Sequence, residues 1–301
     1  MRKVSCLVCS YREFDLFCTK KEDQIVKCKK CNFIFANPQP TWEQLTKFYE
    51  YFDYKDPHAA EVAIRRDARR SLKIIYQCLK AKGSLLDMGC GRGYFLDEAR
   101  AAGWNVWGVD YSKQVIDYAK KKLNLNVQVG DIFSYKTSKK FSLIVLNQVI
   151  EHVLDPKRLI DRCYELLNPK GYLYIATPNI NSISARVFGC EFEHIIPPEH
   201  VSYFSKESIG KLLNNNNFAI IHSGSWSYPE NLAGIIRRLI GTKHSSNYHK
   251  RETEILRLKK NTFSTKKIKH LIFDQWFCGV FYRFLELDSF GINLEVVAKK
   301  K

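Results

Sequence analysis

The sequence predicts an α/β protein: a mostly parallel seven-stranded sheet flanked by helices, with a small cysteine-rich module ahead of it and a basic helical insertion before its last strand. Three observations carry this. Short apolar runs ending in acids alternate with helix-like segments from residue 84 onward. Three closely spaced glycines separate the first such run from its helix, and two Cys-x-x-Cys pairs stand near the N-terminus. A chain of 301 residues can bury one substantial core plus such a module, and it shows no internal repeat.

Residues 1–37 form the first unit. Cys6-x-x-Cys9 and Cys28-x-x-Cys31 are paired knuckles at the separation four thiolates need to reach one tetrahedral ion. Met1-Arg2-Lys3-Val4 leads directly into the first knuckle without a long apolar stretch, so the expected compartment is reducing and cytoplasmic, and metal binding is favoured over disulfides. An iron–sulfur cluster or a redox dithiol could use the same four residues, but the ribbon-like spacing favours structural zinc. A closed four-thiolate site has no open position for chemistry, so its work is to fold a segment too small to fold unaided. Cys18 is a spare or competing ligand, while Cys78, Cys90, Cys163, Cys190 and Cys278 read as small buried apolar residues.

Residues 38–80 read as a linker, Asn37-Pro38-Gln39-Pro40, followed by two helices, 41–51 and 59–79, broken near Pro57. Arg65, Arg66, Arg69 and Arg70 cluster on the second helix; the default is a solvated face, the alternative a site for an anionic acceptor.

The central unit, residues 81–228, opens with the strand Ser84–Met88 and the turn Gly89-Cys90-Gly91-Arg92-Gly93. Alternating glycines let the backbone turn tightly and approach a ligand, and the helix from Gly93 to Ala102 aims free N–H groups at the same place. Val106–Asp110 is a second strand ending in a carboxylate, the place where βαβ units hold ribose hydroxyls. Asn126–Ile132 ends in Asp131, suited to an exocyclic adenine amine, and Phe141–Asn147 is a continuous apolar run typical of a fully buried parallel strand. The pattern points to a nucleotide-type cofactor in a Rossmann-like core. Asp87, two residues before the first glycine, favours a cation over a pyrophosphate on charge alone.

Over residues 85–218 these motifs, in this order, resemble the class I S-adenosylmethionine-dependent methyltransferases, particularly the branch related to ubiquinone-biosynthesis O-methyltransferases and bacterial small-molecule and sugar methyltransferases. The resemblance implies that Asp87, Gly89, Gly91 and Gly93 line the methionine end of the cofactor. It places Asp110 and Tyr111 at the ribose, Asp131 and Ile132 at the adenine, and Asn147 beside the sulfonium. It also makes the two helices of residues 38–80 a lid.

Glu151-His152 lies just past the fourth strand, where an imidazole could take a proton from an acceptor hydroxyl as the methyl arrives; the alternative is that the pair caps the next helix or bonds to backbone. Some quinone O-methyltransferases resembling this segment carry a further glutamate three residues earlier and hold a divalent ion with the set. Gln148 stands there, a weaker ligand. Gly171–Asn179 reads as a fifth strand, and the irregular segment after it, with His194 and His200, suits a substrate wall carrying further base candidates. Ser205 suits the N-cap of a helix over 206–213, with Ser208 a poor substitute for a boxed glutamate. Asn217–Ile221 and Leu294–Ala298 complete the seven strands.

Composition bounds the partners. The chain carries 48 basic and 31 acidic residues, a formal charge of +17. Residues 237–270 hold eleven lysines and arginines against two glutamates, within a helical insertion spanning 229–287; the final strand belongs to 288–301. The aromatic stretch 271–285 is too short and too broken to cross a bilayer, so the segment fits a solvated face, a peripheral contact with an anionic membrane, or a cover for a lipid- or nucleotide-linked acceptor. Nucleic acid is disfavoured because Asn147-Gln148-Val149-Ile150 is not a base-methylating motif. The expected activity is methyl transfer to oxygen of a small-molecule, sugar or carrier-linked acceptor, with carbon of a nucleotide-linked sugar the alternative and a zinc-ribbon binding protein the rival of another class.

Overall fold

The structure, a computed structural model, describes residues 2–45, 57–79, 81–227 and 290–301. The basic and aromatic segments at 237–285, Cys278, and most of the expected helix 41–51 lie outside the described residues.

The cysteine module is a hairpin, β1 (Phe14–Lys20) and β2 (Asp23–Cys28), extended by β3 (Ile34–Ala36). A helical turn follows at residues 42–45, and α1 spans Pro57–Leu79. Pro57 is the first residue described in this helix, a position where its missing N–H costs nothing. Ala68, Leu72 and Ile75 pack against Leu85, Phe95 and Tyr174, so α1 is part of the sheet's helical layer. Its arginines face carboxylates. Arg65 meets Glu61, Asp97 and Glu98, Arg69 meets Glu98, Arg66 meets Asp67, and Arg70 grips Glu295 with both guanidinium nitrogens at 2.6 and 2.8 Å. Arg65 and Arg70 therefore tie the helix to the core, while Arg66 and Arg69 remain largely exposed, as on the solvated face its sequence suggested.

The core follows as β4 (Ser84–Met88), α2 (Tyr94–Ala101), β5 (Asn105–Asp110), α3 (Lys113–Leu123), β6 (Val127–Val129) and β7 (Phe141–Asn147). A 3-10 turn, Ile150–His152, leads to α4 (Pro156–Leu166), then β8 (Leu167–Pro178), α5 (Ile183–Phe188), β9 (Ser202–Tyr203), α6 (Lys206–Asn215), β10 (Phe218–Trp226) and β11 (Asn293–Lys300). The sheet order is β10-β11-β8-β7-β4-β5-β6, parallel from β8 to β6, with β11 antiparallel to both its neighbours. β7 is apolar throughout because helices cover both faces; Leu143, Ile144, Val145 and Leu146 are fully buried. Three expectations shift. β6 stops at Val129, so Asp131 sits in the turn beyond it; β8 starts four residues early, at Leu167; and β10 runs on to Trp226. The helix α6 has a full capping box in which Ser205 and Ser208 exchange hydrogen bonds, so serine serves where a glutamate is usual.

Sequence set residues 1–37 apart as a unit too small to fold unaided. In the fold β9, from residues 202–203, pairs with β3 as the fourth strand of the module's sheet, Ile34 opposite Tyr203 and Phe35 opposite Ser202. Cys6, Cys28, Phe33 and Phe35 share one apolar cluster with Leu86, Ile144 and Phe204. Module and core are one packed body. No helix among the described residues is long and apolar enough to cross a membrane.

Candidate functional site

Because β4 runs to β5 on one side while β7 lies on its other side, the chain reverses direction between β4 and β7, and a crevice opens at their carboxyl ends. Asp87 lies at that edge, 2% exposed. One of its oxygens, Oδ1, has no hydrogen-bond partner, and burial, with Asp110 nearby, pushes its pKa up to about 8. A carboxyl group buried this way favours its neutral form and would gain from a cation placed beside it.

The loop after it hydrogen-bonds back to β5 through Gly89 and Cys90, both donating to the Val109 carbonyl. Gly89, Gly91 and Gly93 all have positive φ, at 88°, 52° and 80°. The three glycines do different work. A methyl group on Gly89 would strike Val149 Cγ2 at 2.6 Å and one on Gly93 would strike Leu125 Cδ1 at 2.5 Å, whereas one on Gly91 would meet nothing within 4 Å. Gly89 and Gly93 are thus required for packing, and Gly91 faces open space where a ligand can come against the backbone.

Asp110 latches the crevice. Its Oδ2 accepts from the Gly91 N–H at 2.8 Å and its Oδ1 from the Ser112 N–H at 2.9 Å, leaving a second lone pair on each oxygen for ligand hydroxyls. Burial raises its pKa while these N–H groups counteract the rise. Tyr111 beside it is exposed, its ring edge-on to Trp42 at 6.4 Å. Asp131 Oδ1 accepts from the Phe133 N–H, forming the turn that follows β6; Ile132 packs against the main core and Asn147 is half-buried at the end of β7. All four strand ends named from sequence therefore converge.

Past Asn147 the backbone turns sharply, Gln148 taking φ 55° with its N–H donating to the Ala176 carbonyl. This places Glu151 under the end of β8, 1% exposed, where its Oε2 accepts from Thr177 Oγ1 at 2.9 Å and its Oε1 has no partner. Burial pushes Glu151 up to about 8. His152 has its Nδ1 3.1 Å from the Glu199 carbonyl, and His200 its Nδ1 2.8 Å from the His194 carbonyl. The two rings meet edge to face at 4.7 Å, and His194 stacks on His200 at 6.1 Å. Burial lowers His152 to about 4; burial first, then His152 and His194, hold His200 well below the usual histidine range. Neither Glu151 nor His152 caps the next helix, since Asp155 does so through the Arg158 N–H. Sequence named the Glu151-His152 pair and, apart from it, His200; the fold gathers the three. Thr177 was not singled out, although its place at the end of a buried strand marked it as a polar group facing the cleft.

The four knuckle cysteines also converge: Cys6 Sγ is 3.4 Å from Cys31 Sγ and Cys9 Sγ is 3.6 Å from Cys28 Sγ, all four lying within 4.8 Å of one another. Four sulfurs around zinc at bonds of about 2.3 Å are roughly 3.8 Å apart, so the set fits. The knuckles repeat one conformation. The N–H of Ser10 donates to the Cys6 carbonyl and that of Asn32 to the Cys28 carbonyl, both residues having positive φ. N–H groups of Val8 and Cys9 point at the Cys6 sulfur and those of Lys30 and Cys31 at the Cys28 sulfur, stabilising thiolates. Cys18 is not part of this set; it is buried in another cluster with Ile25 and Ile34.

A doubly wound core with a glycine-rich loop and acids, one of them fully buried, at the ends of its first two strands is the core of a class I S-adenosylmethionine-dependent methyltransferase. The comparisons agree: the methyltransferase domain family matches residues 59–223, more than half of the chain, and the chain belongs to that family. The ubiquinone biosynthesis O-methyltransferase of Coxiella burnetii is 35% identical over 147 residues, 46% of this chain and 63% of that protein. The corresponding protein of Pelagibacter ubique is 30% identical over 163 residues, 47% of this chain and 68% of its own. The chain thus spans less than two thirds of the length of the Coxiella relative. Among solved structures, a methyltransferase from Archaeoglobus fulgidus superimposes with a TM-score of 0.53 at 18% identity, covering 86% of this chain and 100% of its own. One from Thermotoga maritima gives 0.51 at 18% identity over 86% and 98% of the two chains, a likeness of fold.

Proposed function

We propose that this protein methylates a hydroxyl oxygen of a small or carrier-linked acceptor. The observation that supports this reading best is that Asp87, buried with an unpartnered oxygen, and the glycine loop lie at the end of β4 while Glu151, His152 and His200 cluster past the end of the parallel neighbours β7 and β8, with Gly89 close against Val149. When bound, S-adenosylmethionine supplies an electrophilic methyl on a sulfonium. Asp87 takes the cationic methionyl end, Asp110 the ribose hydroxyls, and Asp131 with Ile132 the adenine.

Across the cleft, a histidine held neutral by burial has a lone pair for a proton at ordinary pH. Nε2 of His152 or His200 would take the proton of the acceptor hydroxyl, readying its oxygen to receive the methyl that the bound cofactor would supply. The acceptor site is walled by the 193–200 segment. Most of the rate rests on alignment, with proton removal adding a further factor.

The cysteine set holds a structural zinc, and its task in this chain is positional. The Ala36 N–H donates to the Val201 carbonyl and the Val201 N–H to the Glu151 carbonyl, so β3 is hydrogen-bonded to the residue beside His200, which is in turn bonded to Glu151. The zinc-bound module therefore clamps the segment that carries His200.

Calorimetric titration with S-adenosylhomocysteine, of wild type and Asp110→Ala, tests the cofactor half; micromolar binding lost in the variant is expected, and no binding by folded wild type overturns the reading. Transfer of a labelled methyl from the cofactor to a panel of hydroxylated metabolites, with the product's methyl read by NMR as O- or C-linked, tests the acceptor half. In Cys28→Ser, loss of about one zinc per chain with a lower melting temperature is expected; unchanged zinc content sinks the metal assignment.

A further inference from the structure

We propose that Cys18 and Cys190 are a redox-active pair that closes to a disulfide and so fastens the cysteine module covalently to the segment carrying His200. Both are free thiols outside the four-thiolate set.

Cys18 is on β1, and Cys190 is in the 3-10 turn Gly189–Glu191 that follows α5. The turn packs against β1. Two residues along the strand from Cys18, and so on the same face, Lys20 donates from Nζ to the Cys190 carbonyl at 3.2 Å. Cys190 lies against the apolar cluster that holds Cys18, Ile25, Ile34 and Phe192, and the two thiols are hydrogen-bonding neighbours. Two segments far apart in sequence thus bring one thiol to the other.

The members of the pair differ in access. Cys18 is 5% exposed and Cys190 is half-buried. Burial first, then the bond with Cys190, pushes the Cys18 thiol up to about 12, so Cys190 is the sulfur that meets a dissolved oxidant and Cys18 the one that resolves the product. With hydrogen peroxide as oxidant, the Cys190 thiolate attacks one oxygen, the O–O bond breaks, and a sulfenic acid forms while the released hydroxide takes up a proton as water. Cys18 then gives up its proton and attacks that sulfur; the S–S bond forms and the sulfur-bound hydroxyl leaves as a second water. Two thiols have lost two electrons and two protons, and one peroxide has become two waters. A small dithiol reverses the step by exchange, becoming the disulfide itself.

The segment is already held at its far end, where β9 pairs with β3. The disulfide would hold its near end to β1, pinning residues 189–203 to the module at both ends. The pairing of the thiols is independent of the methyl-transfer reading; any effect on acceptor turnover rests on that reading.

The test uses the full-length, zinc-loaded protein treated with hydrogen peroxide, followed by peptide mapping without reduction, zinc analysis and thermal melts. A linked Cys18–Cys190 peptide is expected, with zinc retained, the melting temperature raised by about 5 °C or more, and both changes undone by reductant. In Cys18→Ala, Cys190 should stop at the sulfenic acid and be trapped by a dione reagent; in Cys190→Ala, Cys18 should stay unmodified. Neither variant should show the rise in melting temperature, and retained zinc with a cooperative melt before oxidation shows each folded. Should a variant fail to fold, the wild-type map decides. Peroxide that joins Cys190 to any other cysteine, that oxidises Cys190 without linking it to Cys18, or that links knuckle cysteines with loss of zinc while Cys18 stays reduced overturns the proposal, as does a melting shift that either variant keeps.

Discussion

Asp87 is costly to the empty protein, and replacing it should separate stability from function. Its ordinary pKa is 3.8, and burial together with the nearby Asp110 pushes it to about 8. A tenfold change in proton affinity is worth about 1.4 kcal/mol, so the ionised form destabilises the fold by at most about 6 kcal/mol. The sign follows from linkage. The folded state holds this proton more tightly than the unfolded chain, so the group's contribution to stability falls as pH rises from about 4 to about 8 and is constant above that. Relaxation and water entry reduce the ceiling, and half of it, about 3 kcal/mol, is a working value.

Asp87→Asn has nearly the same shape and cannot ionise, and its amide can donate toward Asp110. At pH 9 the variant should therefore melt about 6–12 °C above wild type, using 2–4 °C per kcal/mol, and the gap should shrink toward pH 5. Function moves the other way: loss of a charge-assisted contact worth about 1.5–3 kcal/mol should weaken S-adenosylhomocysteine about 10- to 100-fold. In wild type at pH 7, binding the cation should also release up to one proton, measured by calorimetry in buffers of different ionisation enthalpy. A variant that melts below wild type at pH 9 and binds the cofactor product equally well would refute the assignment of Asp87 as a strained cation site.

Two further outcomes follow from the geometry. Gly93→Ala combines positive φ with a methyl 2.5 Å from Leu125 Cδ1 and should cost about 2 kcal/mol or more, whereas Gly91→Ala meets only the backbone cost of about 1 kcal/mol yet should weaken S-adenosylhomocysteine at least tenfold; thermal melts and calorimetry on both variants check the contrast. Arg70→Ala leaves Glu295 buried without its main counter-charge and should cost about 3–5 kcal/mol at neutral pH. Burial alone would raise Glu295, but the nearby His222 imidazole and the hydrogen-bonded Arg70 hold it below its ordinary value, so its contribution is present above that value and lost as pH falls through the depressed one; the difference between the variant's and wild type's urea midpoints should vanish in acid.

The cofactor crevice was legible because it is made of local signals. An apolar run, a glycine turn and an acid at a strand end each depend on a handful of neighbouring residues, and their order along the chain implies the parallel sheet that brings them together. The paired knuckles were legible for the same reason: Cys-x-x-Cys spacing reports a local turn, and two such turns at this separation suit one four-thiolate site. The left-handed Ser10 and Asn32 that shape those turns went unremarked, although asparagine is a residue that tolerates this conformation.

What required the tertiary structure was every pairing between distant segments. Sequence marks Arg65 and Arg70 as cations and says nothing of Asp97, Glu98 or Glu295, because ion-pair partners are chosen by helix packing and strand order rather than by spacing. It marks His200 as a loop histidine, but only the pairing of β9 with β3 places that residue against His152 and beside Glu151. By itself the sequence determined the cofactor class, the parallel core and the four-thiolate set, since burial periodicity and short motifs are one-dimensional properties. The fold alone decided that the cysteine module is bonded to the segment carrying His200 and that Glu151, His152 and His200 converge, because convergence in space depends on which strands lie side by side.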